Sequence, residues 1–200
     1  MLTIKNVKVY DLRESVIASG NAMRVSLPEY SDAEFERGLV RMRKLVNASK
    51  AGEVKCHDNA LCGIRVSFDV VYPQYWSMEF QRYHFADIVT SSSKMHRIML
   101  MNIGDACNEY VDERVVAVLN EKIRLYNQEK TNERFMEVIS NVPMGLELCM
   151  RVSTNYKQLQ TIYHQRKNHK LHEWRYFCEW VKSLPYAKTL ILGEDSEKND

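Results

Sequence analysis

Glycine and proline are scarce in this chain of 200 residues, with seven and four copies, which excludes collagen-like, linker-rich and low-complexity architectures. No run approaches the roughly 18 apolar residues that span a bilayer, so no membrane segment is expected. An excess of one charge is missing too: 28 Lys and Arg stand against 26 Asp and Glu, a formal net +2. That near-balance removes the electrostatic basis for a nucleic-acid coat protein or a polybasic membrane binder. The opening segment MLTIKNVKVYDLRES has neither an apolar h-region nor a small-residue cleavage site, so we expect no secretory leader and a cytoplasmic setting. The cysteines, Cys56, Cys62, Cys107, Cys149 and Cys178, are odd in number, which favours reduced thiols. Cys56 and Cys62 flank His57, but no second close pair completes a four-ligand set, and His164, His169 and His172 lack an HExxH-type pairing. No metal site is expected.

Apolar residues make up 45 % of the chain, enough for one folded domain, which we place over 1–190 with a polar, acidic tail at 191–200. Period-two alternation predicts strands over 2–10 and 62–72, the second ended by Pro73. Phe35, Leu39, Met42, Leu45 and Val46 recur at helical spacing behind a Ser31 or Asp32 cap, which predicts a helix over 31–49. Further helical patterns cover 75–85, 112–126, 133–140 and 152–183, the last with an interruption near Lys167 and Asn168. Thr90, Ser91, Ser92 and Ser93 read as a loop, because short hydroxyl side chains compete for backbone hydrogen bonds. The fold class is α/β (α+β), a central sheet flanked by helices.

Three places concentrate polar groups. Arg82 and His84 precede the serine run and Lys94, and together they supply charge, hydroxyls and backbone N–H groups of the kind that bind phosphate. The plain alternative is a solvated helix end with a polar turn. Asn155, Arg166, His169 and Glu173 are separated by 11, 3 and 4 residues, which puts them on one stripe if the helix is continuous. Such a stripe meets either a ligand or its own partners, for instance a His169–Glu173 pair with a snorkelling Arg166. Cys56, His57, Asp58 and Asn59 stand before the central strand, where a lone His is more often structural than catalytic.

At these segments the chain resembles the flavin-dependent thymidylate synthase family, whose signature is RHRxxSxxxxSxR. The window from Arg82 to Lys94 keeps the first Arg as Arg82 and the second Ser as Ser92, with His84, Asp87 and Lys94 at the other signature positions. HDNALCGIRVSFDVVYP, from His57 to Pro73, is similar to the family's strand motif, with Cys62 and Gly63 where the family has Glu-His. Asn21 to Ser26 resembles its small-residue, Arg and Ser segment. Asn155, Tyr156 and Lys157 follow its N-x-R pattern, and Arg166 takes the place of its second Arg.

The resemblance implies a homotetramer with FAD and dUMP at sites shared between subunits, converting dUMP to dTMP with methylenetetrahydrofolate and NADPH. It implies that Arg82, His84, Asn155 and Lys157 face the flavin, with Ser26 and Asn59 beside them. Ser91, Ser92, Ser93 and Lys94 would cradle the nucleotide phosphate, Arg166 would meet the pyrimidine, and Ser92 and Arg166 would stand closest to the chemistry. The departures carry physical weight. His84 loses a permanent charge, Lys is a poorer planar partner than Arg, and Asp87 sets a carboxylate near anions. The alternative is a nucleotide- or partner-binding protein on the same fold, without flavin redox chemistry.

Overall fold

The computed structural model describes residues 2–52 and 57–195. Cys56 and the end of the acidic tail, residues 196–200, lie outside the described residues. In chain order the strands are β1 (Thr3–Tyr10), β2 (Arg65–Pro73), β3 (Asp87–Ser91) and β4 (Glu147–Asn155). The helices are α1 (Leu12–Ala18), α2 (Asp32–Lys50), α3 (Ala60–Gly63), α4 (Gln74–Phe80), α5 (Lys94–Arg97) and α6 (Ile103–Ala106), then α7 (Glu113–Gln128), α8 (Asn132–Ser140), α9 (Tyr156–Arg166), α10 (His172–Lys182) and α11 (Ala187–Leu190). Short 3-10 turns occupy Asn21–Met23 and Ile98–Leu100. This is the mixed α/β class with one sheet and many helices that the sequence led us to expect.

The sheet has the order β1-β2-β4-β3 and is antiparallel. Tyr156 N donates to Ile64 O at one end of the β2–β4 pair and Gln74 N donates to Leu146 O at the other. Along β2, buried Val66, Phe68, Val70 and Tyr72 alternate with more open Arg65, Ser67, Asp69 and Val71. Met150, Val152 and Thr154 do the same on β4. Residues i and i+2 share a face of a pleated strand, so one set of side chains joins the core and the other projects polar groups.

By its contacts the chain divides into two compact units. One comprises Met1–Lys5, Asp69–Arg82 and Ile88–Val152; its buried centre is Ile98, Ile103, Leu119, Ile123, Val138 and Leu146. Trp76 stacks on Phe80 there, with ring centroids 4.8 Å apart. The other comprises Asn6–Phe68, Tyr83–Asp87 and Ser153–Asp200, with an aromatic core in which Phe68 packs on Phe177 and Trp180.

Helix α2 forms where its spacing predicts. The Ser31 hydroxyl caps it by accepting from Glu34 N at 3.3 Å, and acidic Asp32 and Glu34 suit the positive end of the helix dipole. Gly38 on its buried stripe lets it approach α1, because a Cβ there would lie 2.7 Å from a Val16 methyl.

Three expectations are corrected. The helical pattern assigned to 152–183 begins as a strand: Val152, Ser153, Thr154 and Asn155 complete β4, and α9 starts only at Tyr156. The chain then leaves the helix between Arg166 and His172, so Asn155, Arg166, His169 and Glu173 do not share one continuous stripe. Thr90 and Ser91 belong to β3, and the irregular segment is confined to Ser92 and Ser93.

Candidate functional site

Two groups of polar side chains take up the residues singled out by sequence, one in each unit. In the first unit, β3 and β4 line a cavity of about 400 Å³ with Asp69, Thr90, Ser91, Ser92, Cys149, Met150 and Arg151. Pairing fixes its walls. Ser92 N donates to Cys149 O at 2.8 Å, and the Ser92 hydroxyl and Cys149 thiol lie 2.8 Å apart. Arg151 donates to Asp69 at 3.0 Å. Three hydroxyl-bearing residues and the Arg151–Asp69 ion pair line it, polar groups able to meet a hydroxylated ligand, and the volume falls within the usual range for small-molecule sites.

Ser91 and Ser92 thus line this cavity, whereas the Lys94 ammonium bonds the Gln74 side-chain oxygen. Gln74 is itself held by donating to Pro143 O at 3.0 Å. Ser93 caps the start of α5 without a side-chain hydrogen bond. Arg82, in the same unit, is exposed.

In the second unit, Asn155 ends β4 and caps α9, its Oδ1 accepting from Gln158 N at 2.8 Å. One turn on, Lys157 Nζ reaches Asp58 Oδ2 at 2.5 Å and Gln160 Oε1 at 3.1 Å. Asp58 is fully buried. Arg166 closes the same helix: its Nε donates to the Tyr83 hydroxyl at 2.8 Å and its guanidinium lies 4.8 Å from the Trp174 ring. That hydroxyl donates in turn to Gln165 at 3.0 Å, so Arg166 is held in an aromatic clamp. Glu173, buried, lies 3.2 Å from His172 Nε2. His84, Asn59 and Ser26 are exposed.

Local electrostatics follow from these neighbours. Asp87 lies 4.0 Å from Arg65, which answers part of its charge. Packing over the His164 ring lowers its pKa from the ordinary imidazole value, and Lys50, Lys167 and Lys157 lower it further by repulsion. Beside Gly63, an added Cβ would meet the Ser15 hydroxyl at 2.3 Å, so α1 fills the space in which a longer side chain would stand.

Sequence reasoning missed Asp69, Cys149, Arg151 and Gln160. Asp69 lies on the strand read over 62–72, whose open face was not followed, and Cys149 and Arg151 lie just before the segment 152–183 read as helix, in a stretch given no element. Among the described residues no group of three or more His, Cys, Asp or Glu could hold a metal ion, and no helix is long and apolar enough to cross a membrane.

No protein-family model matches the chain, and no curated protein matches it in sequence. Its fold does match solved structures. A flavin-dependent thymidylate synthase ThyX from Helicobacter pylori, complexed with FAD and dUMP, superposes with a TM-score of 0.71 at 16 % identity, covering 95 % of this chain and 97 % of that one. A second ThyX structure from Helicobacter pylori with FAD and dUMP gives a TM-score of 0.66 at 15 % identity, covering 96 % and 97 %. A UMP/dUMP methylase, PolB from Streptomyces cacaoi, bound with 5-Br dUMP, gives 0.66 at 12 % identity, covering 98 % of each chain. At these identities the likeness establishes a shared fold.

Proposed function

We propose that the chain binds a pyrimidine nucleotide, dUMP or UMP, in the cavity between β3 and β4. One observation carries this reading: Thr90, Ser91, Ser92 and the Arg151–Asp69 pair line that cavity in a fold shared with structures that hold dUMP or its 5-bromo derivative. Hydroxyls and the Arg151 guanidinium, shared with Asp69, meet ribose and phosphate oxygens, and Lys94, which starts α5 two positions after Ser92, adds a positive charge when it leaves Gln74. Calorimetry with dUMP and UMP tests it. Lys94→Ala removes a charge-assisted contact of about 1.5–3 kcal/mol, a loss of roughly ten- to a hundredfold in affinity. Equal affinity for parent and variant overturns the role of Lys94, and no binding of either nucleotide overturns the reading.

Of the residues that the resemblance gives to FAD, the exposed Arg82 and His84 are the ones that can turn to its two phosphates. The Lys157 ammonium is already matched to the buried Asp58 carboxylate, and Asp87 adds a second carboxylate at the signature segment. The second reading is the full reaction of the resembling family, dUMP to dTMP with methylenetetrahydrofolate, NADPH and FAD, in a cytoplasmic homotetramer. The likeness to two structures holding both FAD and dUMP favours it. Flavin absorbance bands in the purified protein decide for this second reading, and their absence after incubation with FAD decides against it.

A further inference from the structure

One group on the wall of the cavity between β3 and β4 makes a fixed demand on whatever enters. Thr90, Ser91 and Ser92 bring hydroxyls, which either donate or accept. Ser92 is already committed to β4: its oxygen accepts from Cys149 N at 3.3 Å and lies 2.8 Å from the Cys149 thiol. Asp69, on the more open side of β2, differs because an ionised carboxylate accepts and never donates. Arg151 Nη1 donates to its Oδ1 at 3.0 Å, which fixes the carboxylate on the cavity wall. A carboxylate accepts in about four directions, so this one bond does not exhaust it. The Arg151 and Asp69 side chains are 29 % and 38 % exposed, so a ligand in the cavity can reach both. Their charges match, and the wall therefore selects by hydrogen-bond pattern more than by charge.

A pyrimidine nucleotide has few protons to offer such a wall. Its phosphate and ring carbonyls only accept, and Asp69 repels the phosphate. The sugar adjoins the phosphate that Lys94 meets, so sugar hydroxyls reach Asp69 before the more distant ring N–H does. Resting on the nucleotide reading above, we propose that Asp69 and Arg151 hold the 2′,3′-diol of a ribose, and that the substrate class is a ribonucleotide, UMP ahead of dUMP. The 2′-hydroxyl donates to Asp69, and the 3′-oxygen accepts from Arg151. A deoxyribose brings no proton to the first of these places, so the hydration that Asp69 loses goes unrepaid. Acidic side chains hold ribose hydroxyls in this way in dinucleotide-binding folds, and the 2′-hydroxyl is the group by which a protein tells the two sugars apart.

Calorimetry on the intact chain with UMP, dUMP and 2′-O-methyl-UMP tests the assignment. UMP binds about tenfold more tightly than dUMP, the size of one charge-assisted hydrogen bond on a wall open to water. The 2′-O-methyl form keeps the oxygen but has no proton to donate, and it binds no better than dUMP. Asp69→Ala leaves Arg151 without its carboxylate and changes both affinities, but the UMP-to-dUMP ratio falls toward one. A merely structural Asp69 would lower both affinities and leave the ratio at the parent value, which overturns the assignment. Equal affinity of the parent chain for UMP and dUMP, or tighter dUMP, also overturns it and leaves the nucleotide cavity standing. So does 2′-O-methyl-UMP binding as tightly as UMP. Binding of neither nucleotide overturns the nucleotide reading, and the ribose assignment falls with it. If Asp69→Ala does not fold, the 2′-O-methyl comparison on the unmodified chain decides.

Discussion

Lys157 shows how far a single residue's role depends on its neighbour. The resemblance implies a cation that meets a ligand, but folding sets it 2.5 Å from a carboxylate with no exposure to water. Removing one member of a buried pair leaves the other charge uncompensated, at about 3–5 kcal/mol. Lys157→Ala should therefore lower stability by that order in chemical denaturation, well beyond Lys94→Ala, whose partner is a neutral amide. His164 contributes a pH dependence near neutrality. Its pKa is lowered on folding, so below the unfolded value near 6.5 the unfolded chain binds the proton more readily than the native one. The stability present above pH 6.5 is thus lost as pH falls toward the lower folded pKa. Melting temperatures between pH 8 and pH 5 should drop less in His164→Gln than in the parent. Parallel curves would show that another group sets the acid limb.

Among the elements, the contact of α1 with α3 gives the sharpest test. Gly63 admits the Ser15 hydroxyl, which donates to Asp11 at 2.8 Å and stands 2.3 Å from where a Cβ would be. Gly63→Ala should cost about 1–3 kcal/mol by overpacking, and Ser15→Ala in the same chain should recover part of it, since touching residues do not add. Strict additivity in a thermal-melt cycle would place the strain elsewhere. This contact was invisible in sequence, where Gly63 registered only as a missing histidine; Ser15, which fills the gap, lies 48 positions upstream, in a segment to which no element was assigned. Helix α2 was legible because Ser31, the acidic first turn and the apolar stripe all agree. Strand β4 was not: Val152, Tyr156 and Leu159 mimic helical spacing across the strand–helix junction that Asn155 caps. With β4 went Cys149 and Arg151, half of the cavity's chemistry. Ser91 and Ser92 were legible because a hydroxyl run needs no tertiary partner to be noticed, whereas Gln160 matters only through Asp58, far away in the chain.

For the whole molecule the question is what covers the segment from Asn21 to Tyr30. Arg24 ties it to Glu34 on α2, yet Val25 at 108 % and Leu27 at 91 % are as open as in an extended peptide, and Met23 and Tyr30 are open beside them. Apolar side chains exposed singly need no explanation, but four within eight positions of one irregular run do. Net charge near +2 opposes association only weakly. The exposed run therefore favours a second copy as its cover, in line with the homotetramer that the resemblance implies. Light scattering at micromolar concentration should give a multiple of the 23.5 kDa chain mass, and Leu27→Glu should shift it toward the monomer because a charge on the contact must be desolvated. The cavity between β3 and β4 is built within one unit of one chain, so a dissociated Leu27→Glu that still binds dUMP would show that assembly and nucleotide binding are separable. If dUMP affinity falls in step with dissociation, the partner chain completes the pocket. A monodisperse parent monomer would remove the shared-site reading and leave the cavity to act alone.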